Sequence, residues 1–178
     1  MIILLTGASH TGKTLLAQRM LEQYKYPYLS IDHLKMGLIR SSNTELTPIS
    51  DDEALTAYLW PIVREIVKTA IENDQNLIVE GCYIPFDWRR DFDERYLSSI
   101  RFICLAMTDQ YIQDHFEKII RHESDIEHRL IAHDITIDGL IADHHRMIEG
   151  FHNAGEQVVL ISSDYEQRIM ELLASEKY

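Results

Sequence analysis

Residues 7–14 read Gly-Ala-Ser-His-Thr-Gly-Lys-Thr. The pattern is a glycine, four residues, then glycine, lysine and threonine, and its chemistry is phosphate binding. Glycines let the backbone bend tightly enough to turn several N–H groups toward one point, where an anion can sit. Lys13 adds a mobile positive charge able to reach terminal phosphates. The Thr14 hydroxyl is a hard oxygen ligand suited to the magnesium that accompanies a nucleoside triphosphate. Gly7, Ser9, His10, Thr11, Gly12, Lys13 and Thr14 are therefore the candidate nucleotide-binding residues. The competing reading, a glycine-rich turn capping an ordinary helix, leaves the Gly12-Lys13-Thr14 run unexplained.

Two acids stand where such a loop could use them. Glu80 closes the apolar run Leu77-Ile78-Val79 and is followed by Gly81, and Asp32 follows Tyr28-Leu29-Ser30-Ile31. An acid beside a phosphate loop can hold hydrated magnesium or receive a proton from an attacking hydroxyl. Glu80 is the candidate for magnesium, through water, together with Thr14. Asp32 is the candidate base or acceptor-binding acid. Each has a plainer reading: Glu80 as a strand-end acid, Asp32 as a helix N-cap.

These residues must be positioned by the elements around them. Ile2-Ile3-Leu4-Leu5 feeds the loop as a strand, and the amphipathic stretch Leu15 to Tyr24 leaves it as a helix. Tyr28 to Ile31 reads as a second strand, and His33 to Arg40 as a short helix with Asp32 as its cap. Ser50-Asp51-Asp52-Glu53 reads as a capping box opening a long helix through Ala70, with a kink or break expected near Trp60 because of Pro61. Leu77 to Val79 and Ile100 to Ala106 are further strands, and Thr108 can cap the helix that follows. Ile137 to Asn153 is helical and stops near Gly155, Val158 to Ile161 is the fifth strand, and Ser163 with Glu166 forms a capping box for the last helix. Near-continuous apolar strands alternating with helices predict an α/β fold, a doubly wound five-stranded parallel sheet with helices on both faces. Ligands on such sheets gather at the carboxyl ends of the strands, which collects the loop, Asp32 and Glu80 at one edge.

Composition bounds the rest. The chain has 178 residues, 46% hydrophobic and 26% charged, which suits one globular domain spanning residues 1–178. No apolar run approaches the length of a membrane span, no leader pattern opens the chain, and the two cysteines, Cys82 and Cys104, sit in or beside apolar runs. A cytoplasmic protein with reduced thiols and no membrane partner is the expectation. The net charge of −12 argues against a nucleic-acid partner, whose backbone is gripped by clustered Lys and Arg. It also places unusual weight on the few arginines available to hold an anionic substrate.

With the loop, Asp32 and Glu80-Gly81 in hand, the chain resembles the small P-loop kinases that include adenylate, shikimate and gluconate kinases and zeta-toxin-like phosphotransferases. Ser30-Ile31-Asp32-His33-Leu34 with Arg40, and Ile78-Val79-Glu80-Gly81-Cys82-Tyr83-Ile84-Pro85, look most similar to 2-phosphoglycerate-kinase-like proteins. The resemblance implies a P-loop NTPase fold of the nucleoside-monophosphate-kinase type. It also implies an acceptor-binding region over about 32–60 and a small helical lid over about 121–136. It implies ATP and Mg2+ as phosphoryl donor and metal, Lys13 and Asp32 as catalytic residues, and Arg40 and Arg89 as binders of an acidic acceptor. Arg121 and Arg129, favoured over Arg146, would be the arginines that close on the transferred group. Each arginine has a surface ion pair as its alternative role. These kinases usually carry glycine where this chain has His10, so His10 is expected to need a backbone conformation that glycine tolerates more easily.

The functional expectation is phosphoryl transfer from Mg-ATP to a small acidic or phosphorylated metabolite, 2-phosphoglycerate-like, by a monomer or homodimer. A nucleoside monophosphate kinase and a non-catalytic ATP-dependent switch are the alternatives. The histidines His122, His128, His133, His144 and His145, interleaved with acids, raise a metal site. No pair has the i, i+4 spacing of a metallohydrolase helix beginning at His122, and adjacent His144 and His145 point apart on a helix, so the region reads mainly as a solvated face.

Overall fold

The structure is a computed structural model and describes residues 1–121 and 135–175. In chain order the elements are β1 (Ile2–Gly7), α1 (Lys13–Tyr24), β2 (Tyr28–Ser30), α2 (Ile31–Arg40), α3 (Asp52–Glu72) and β3 (Leu77–Glu80). A 3-10 turn (Trp88–Asp91) and the short α4 (Glu94–Leu97) lead to β4 (Ile100–Met107), α5 (Asp109–Arg121), α6 (Ile137–Asn153), β5 (Val158–Ile161) and α7 (Tyr165–Ser175). The expected lid interior, with His122, His128, Arg129 and His133, falls outside the described residues.

All strand pairs are parallel and the sheet order is β2-β3-β1-β4-β5. The alternation along β1 shows why the sheet is covered on both sides. Ile2 and Leu4 join one core with Ile31, Leu59, Val63, Met147 and Phe151 from α2, α3 and α6. Ile3 and Leu5 point the other way and pack on Leu16 and Met20 of α1 and Ile169 and Leu173 of α7. Both faces of β1 are thus buried, which is what its unbroken apolar run requires.

The register puts Glu80 opposite Leu5 on one side and opposite Ser30 on the other. The ends of β1, β2 and β3 therefore share the carboxyl edge, one step short of the phosphate loop and of Asp32. β1 lies between β3 and β4, so successive crossovers leave it in opposite directions and open a crevice above its end.

Several local expectations are corrected. Asp32 is not the cap of α2; Ser30 is, its hydroxyl accepting the His33 N–H at 3.4 Å, and Asp32 lies in the first turn. Asp51, not Ser50, caps α3 by accepting the N–H groups of Glu53 and Ala54, because Ser50 is engaged by the Thr47 N–H. Asp164, not Ser163, caps α7, and Glu166 reaches Arg19 instead of its own helix end. α3 runs unbroken through Pro61. Trp60 and Val63 anchor it in the core on either side of the proline, while Pro61 and Ala57 face solvent, so the carbonyl that loses its partner can be hydrated. Thr108, as expected, accepts the N–H of Tyr111 at the start of α5.

Candidate active site

The loop after β1 is held open by glycines and by one strained non-glycine residue. A Cβ at Gly7, where φ is 147°, would lie 2.2 Å from the Leu105 carbonyl oxygen of the neighbouring strand. At Gly12, φ 74°, it would lie 2.0 Å from the Tyr165 hydroxyl. His10 has φ 63°, the left-handed region, in agreement with the expectation that this position needs a glycine-like backbone. Left-handed residues at 10 and 12, on either side of Thr11, curl the backbone into a concave turn at the N-terminus of α1, the geometry of an anion cradle.

Inside this turn Lys13 folds back so that its ammonium donates to the Ala8 carbonyl at 2.8 Å, and the Thr11 hydroxyl donates to the same carbonyl at 2.9 Å. The Thr14 hydroxyl donates to Oε1 of Glu80 at 3.3 Å. Glu80 is 2% exposed, so a carboxylate is held in the interior with an oxygen presented to a hydroxyl at the mouth of the loop. Two hard oxygens beside a phosphate cradle are the donor set that magnesium takes, and these residues fit that ion. Among the described residues no group of three or more His, Cys, Asp or Glu side chains is gathered to hold a metal.

Asp32 stands beside a lysine that the sequence reading did not single out. Lys35 is buried, its ammonium 2.6 Å from Oδ1 of Asp32 and 2.8 Å from the Tyr83 hydroxyl, and lies 4.8 Å above the Tyr83 ring. The i, i+3 spacing of Asp32 and Lys35 on a helix was a signal available in the sequence. Burial, with Cys82 and Asp32 nearby, pushes the Tyr83 hydroxyl well above its ordinary range, so it stays a neutral hydrogen-bonding group. Burial also pushes the thiols of Cys82 and Cys104 up, to about 11 and about 12, which leaves neither as a thiolate nucleophile.

α6 contributes a second set of contacts. Its Asp143 Oδ2 accepts the Ser9 N–H at 2.8 Å, and Arg146 donates to Asp143 at 2.9 Å while lying 3.9 Å from Asp52 at the start of α3. Burial opposes ionisation of Asp143, yet the Ser9 N–H and Arg146 outweigh it and hold the carboxyl below its usual range. His144 is fully buried, accepts the Met107 N–H on Nδ1 at 2.8 Å and places Nε2 3.2 Å from the Ser9 carbonyl. His145 points away and pairs with Asp109 at 2.7 Å, as adjacent helical residues must.

Of the expected arginines, Arg40 and Arg89 are not gathered at the loop. Arg89 is bound through two nitrogens by the buried Glu156. Glu156 precedes β5, and the neighbouring Trp88 stacks on Phe102 near the start of β4, so Arg89 lies toward the amino-terminal half of the sheet, away from the loop. Arg40 is exposed at the far end of α2, about 12 Å of helix rise from Asp32. Arg121 is exposed at the end of α5, and Arg129 lies outside the described residues. Among the described residues, Arg146 reaches the loop through Asp143. Its signal was the run Asp143-His144-His145-Arg146 on a helix whose apolar positions Leu140, Met147 and Phe151 include His144 by spacing.

No protein-family model matches the chain, and no curated protein sequence matches it. Solved structures do. The chain is similar to a gluconokinase from Sinorhizobium meliloti 1021, with a TM-score of 0.55 and 15% identity over 97% of this chain and 89% of that one. It is similar to a shikimate kinase from Bacteroides thetaiotaomicron, TM-score 0.55 and 15% identity over 98% and 97%. A sugar kinase from Janibacter sp. gives a TM-score of 0.56 at 15% identity over 97% and 92%. The fold is that of the small P-loop kinases.

Proposed function

We propose that the chain is an ATP-dependent phosphotransferase that moves the γ-phosphoryl group of Mg-ATP to a hydroxyl of a small acidic or phosphorylated metabolite, with 2-phosphoglycerate as the type of acceptor. The observation that carries this reading is the meeting of Thr14 and Glu80, 3.3 Å apart, at the mouth of a phosphate loop. Asp32 lies just past the next strand end. The names of the similar structures, a gluconokinase, a shikimate kinase and a sugar kinase, support a small-molecule acceptor.

The residues divide the work as follows. Backbone N–H groups of the loop hold the terminal phosphates, and Lys13, released from the Ala8 carbonyl, follows the charge as it moves to the leaving oxygen. Thr14 and Glu80 would hold magnesium, which would supply positive charge beside the phosphates. Asp32 accepts the proton of the acceptor hydroxyl as that oxygen bonds to phosphorus and the bond from phosphorus to the bridging oxygen breaks. Lys35 holds the Asp32 carboxylate in place and adds positive charge beside it. Arg146, at the rim of the loop, can exchange Asp143 for the phosphoryl oxygens. Catalysis on this account is positioning and charge neutralisation, with no covalent intermediate on the protein.

The test is turnover of Mg-ATP by the parent chain and by Lys13→Ala. The account predicts loss of at least about 100-fold in kcat, the scale seen when a preorganised charge is removed from a transferring group. A variant with full turnover would refute the mechanism.

A further inference from the structure

α6 grips the phosphate loop on both sides of one residue. The Ser9 N–H is taken by Asp143 at 2.8 Å, and the Ser9 carbonyl faces Nε2 of His144 at 3.2 Å. The tautomer follows from the other ring nitrogen. Nδ1 accepts the Met107 N–H at 2.8 Å, so it carries a lone pair, and the proton sits on Nε2 and is donated to the Ser9 carbonyl. β4, α6 and the loop are thus joined through a single buried imidazole. Burial draws its proton affinity down and outweighs Asp143 and the Ser9 hydrogen bond, which draw it up; Lys13 and His10 add to the lowering, and the ring stays neutral.

The consequence lies one bond further along. A trans peptide is planar, with its C=O and N–H pointing in opposite directions. The carbonyl of Ser9 and the N–H of His10 belong to the same peptide unit, so drawing the carbonyl toward α6 turns the His10 N–H away from α6. His10 is the residue held at φ 63°, a conformation that side chains other than glycine rarely adopt. A loop with glycine at this place could turn this peptide freely. Here a bulkier residue occupies it and an imidazole fixes it.

We propose that His144 is a positioning residue of the phosphate site, holding the Ser9–His10 peptide so that the His10 N–H is presented to the bound triphosphate. The inference rests on the nucleotide-binding part of the proposed function and extends it to a residue on α6, far along the chain from the loop.

Two variants separate positioning from packing. His144→Asn keeps an acceptor near the Met107 N–H but has no donor long enough for Ser9; His144→Gln returns a donor at the reach of Nε2. The measurements are the affinity for Mg-ATP and for inorganic tripolyphosphate, and the chemical shift of the 15N-labelled His10 amide on saturation with each. The proposal expects the Asn variant to bind both ligands about tenfold or more weakly, with the His10 amide shift lost, and the Gln variant to recover binding and the shift. Equal affinity of the parent and the Asn variant, with the shift retained, overturns the proposal and leaves the kinase reading standing. Loss in both variants in proportion to lowered thermal stability also overturns it, since packing then explains the effect. A parent chain that binds neither ligand overturns both readings together.

Discussion

His144 should leave a measurable signature in the pH dependence of stability. Its ring is fully buried, and burial lowers its proton affinity from the ordinary 6.5 to about 4. In the unfolded chain the same ring takes a proton near its ordinary value, so below pH 6.5 the unfolded state binds more protons and stability falls. The contribution is fully present above pH 6.5, is lost as pH falls through the window down to about 4, and is flat below. Within the window the slope is about 1.4 kcal/mol per pH unit, which gives a loss of about 2 kcal/mol between pH 7 and pH 5. Urea unfolding of the parent and of His144→Asn at pH 7, 6 and 5 isolates it, because the acids common to both chains cancel in the difference. The stability gap between the two should shrink by about 2 kcal/mol over that range. A gap independent of pH would show that the ring is not held neutral by burial, and the tautomer argument would fall with it.

Glu80→Gln should keep the fold and nucleotide affinity in the absence of metal, while the magnesium concentration for half-maximal turnover rises about 10-fold or more; titration of Mg2+ at fixed ATP measures it, and an unchanged requirement would remove Glu80 from the metal site. Gly12→Ala should weaken Mg-ATP binding about 10-fold or more, since a Cβ is strained at φ 74° and must displace the Tyr165 hydroxyl, 2.0 Å away. Binding calorimetry checks it, and near-parental affinity would mean that the loop adopts another conformation.

The sequence carried the sheet well for a physical reason: β1, β3 and β4 from Ile103 onward are buried on both faces, so their apolar runs have no other stable reading. The phosphate loop was equally legible, down to the strain at His10, because glycine positions report backbone geometry directly. Helix starts were less so. Ser30 and Asp32, Ser50 and Asp51, and Ser163 and Asp164 offer neighbouring caps, and which one closes depends on competing partners such as the Thr47 N–H. Side-chain destinations were least legible. Arg89 is captured by Glu156 across 67 residues and Asp143 reaches Ser9 across 134, and no local pattern encodes such pairings. Lys35 was within reach, one helical turn from Asp32, but its burial against Tyr83 is set by the tertiary packing of α2 against the segment that follows β3.

On the proposed function a phosphoryl group passes to a small acceptor at Asp32. The most direct measurement is ADP release from Mg-ATP with and without a panel of phosphoacids, sugar acids, sugars and nucleoside monophosphates, for the parent chain and Asp32→Asn. The account predicts stimulation of the parent by an acidic, hydroxyl-bearing compound and its loss in the variant, with Mg-ATP binding unchanged. Saturable ATP binding with no stimulation by any member of the panel, or stimulation that survives in Asp32→Asn, would contradict it.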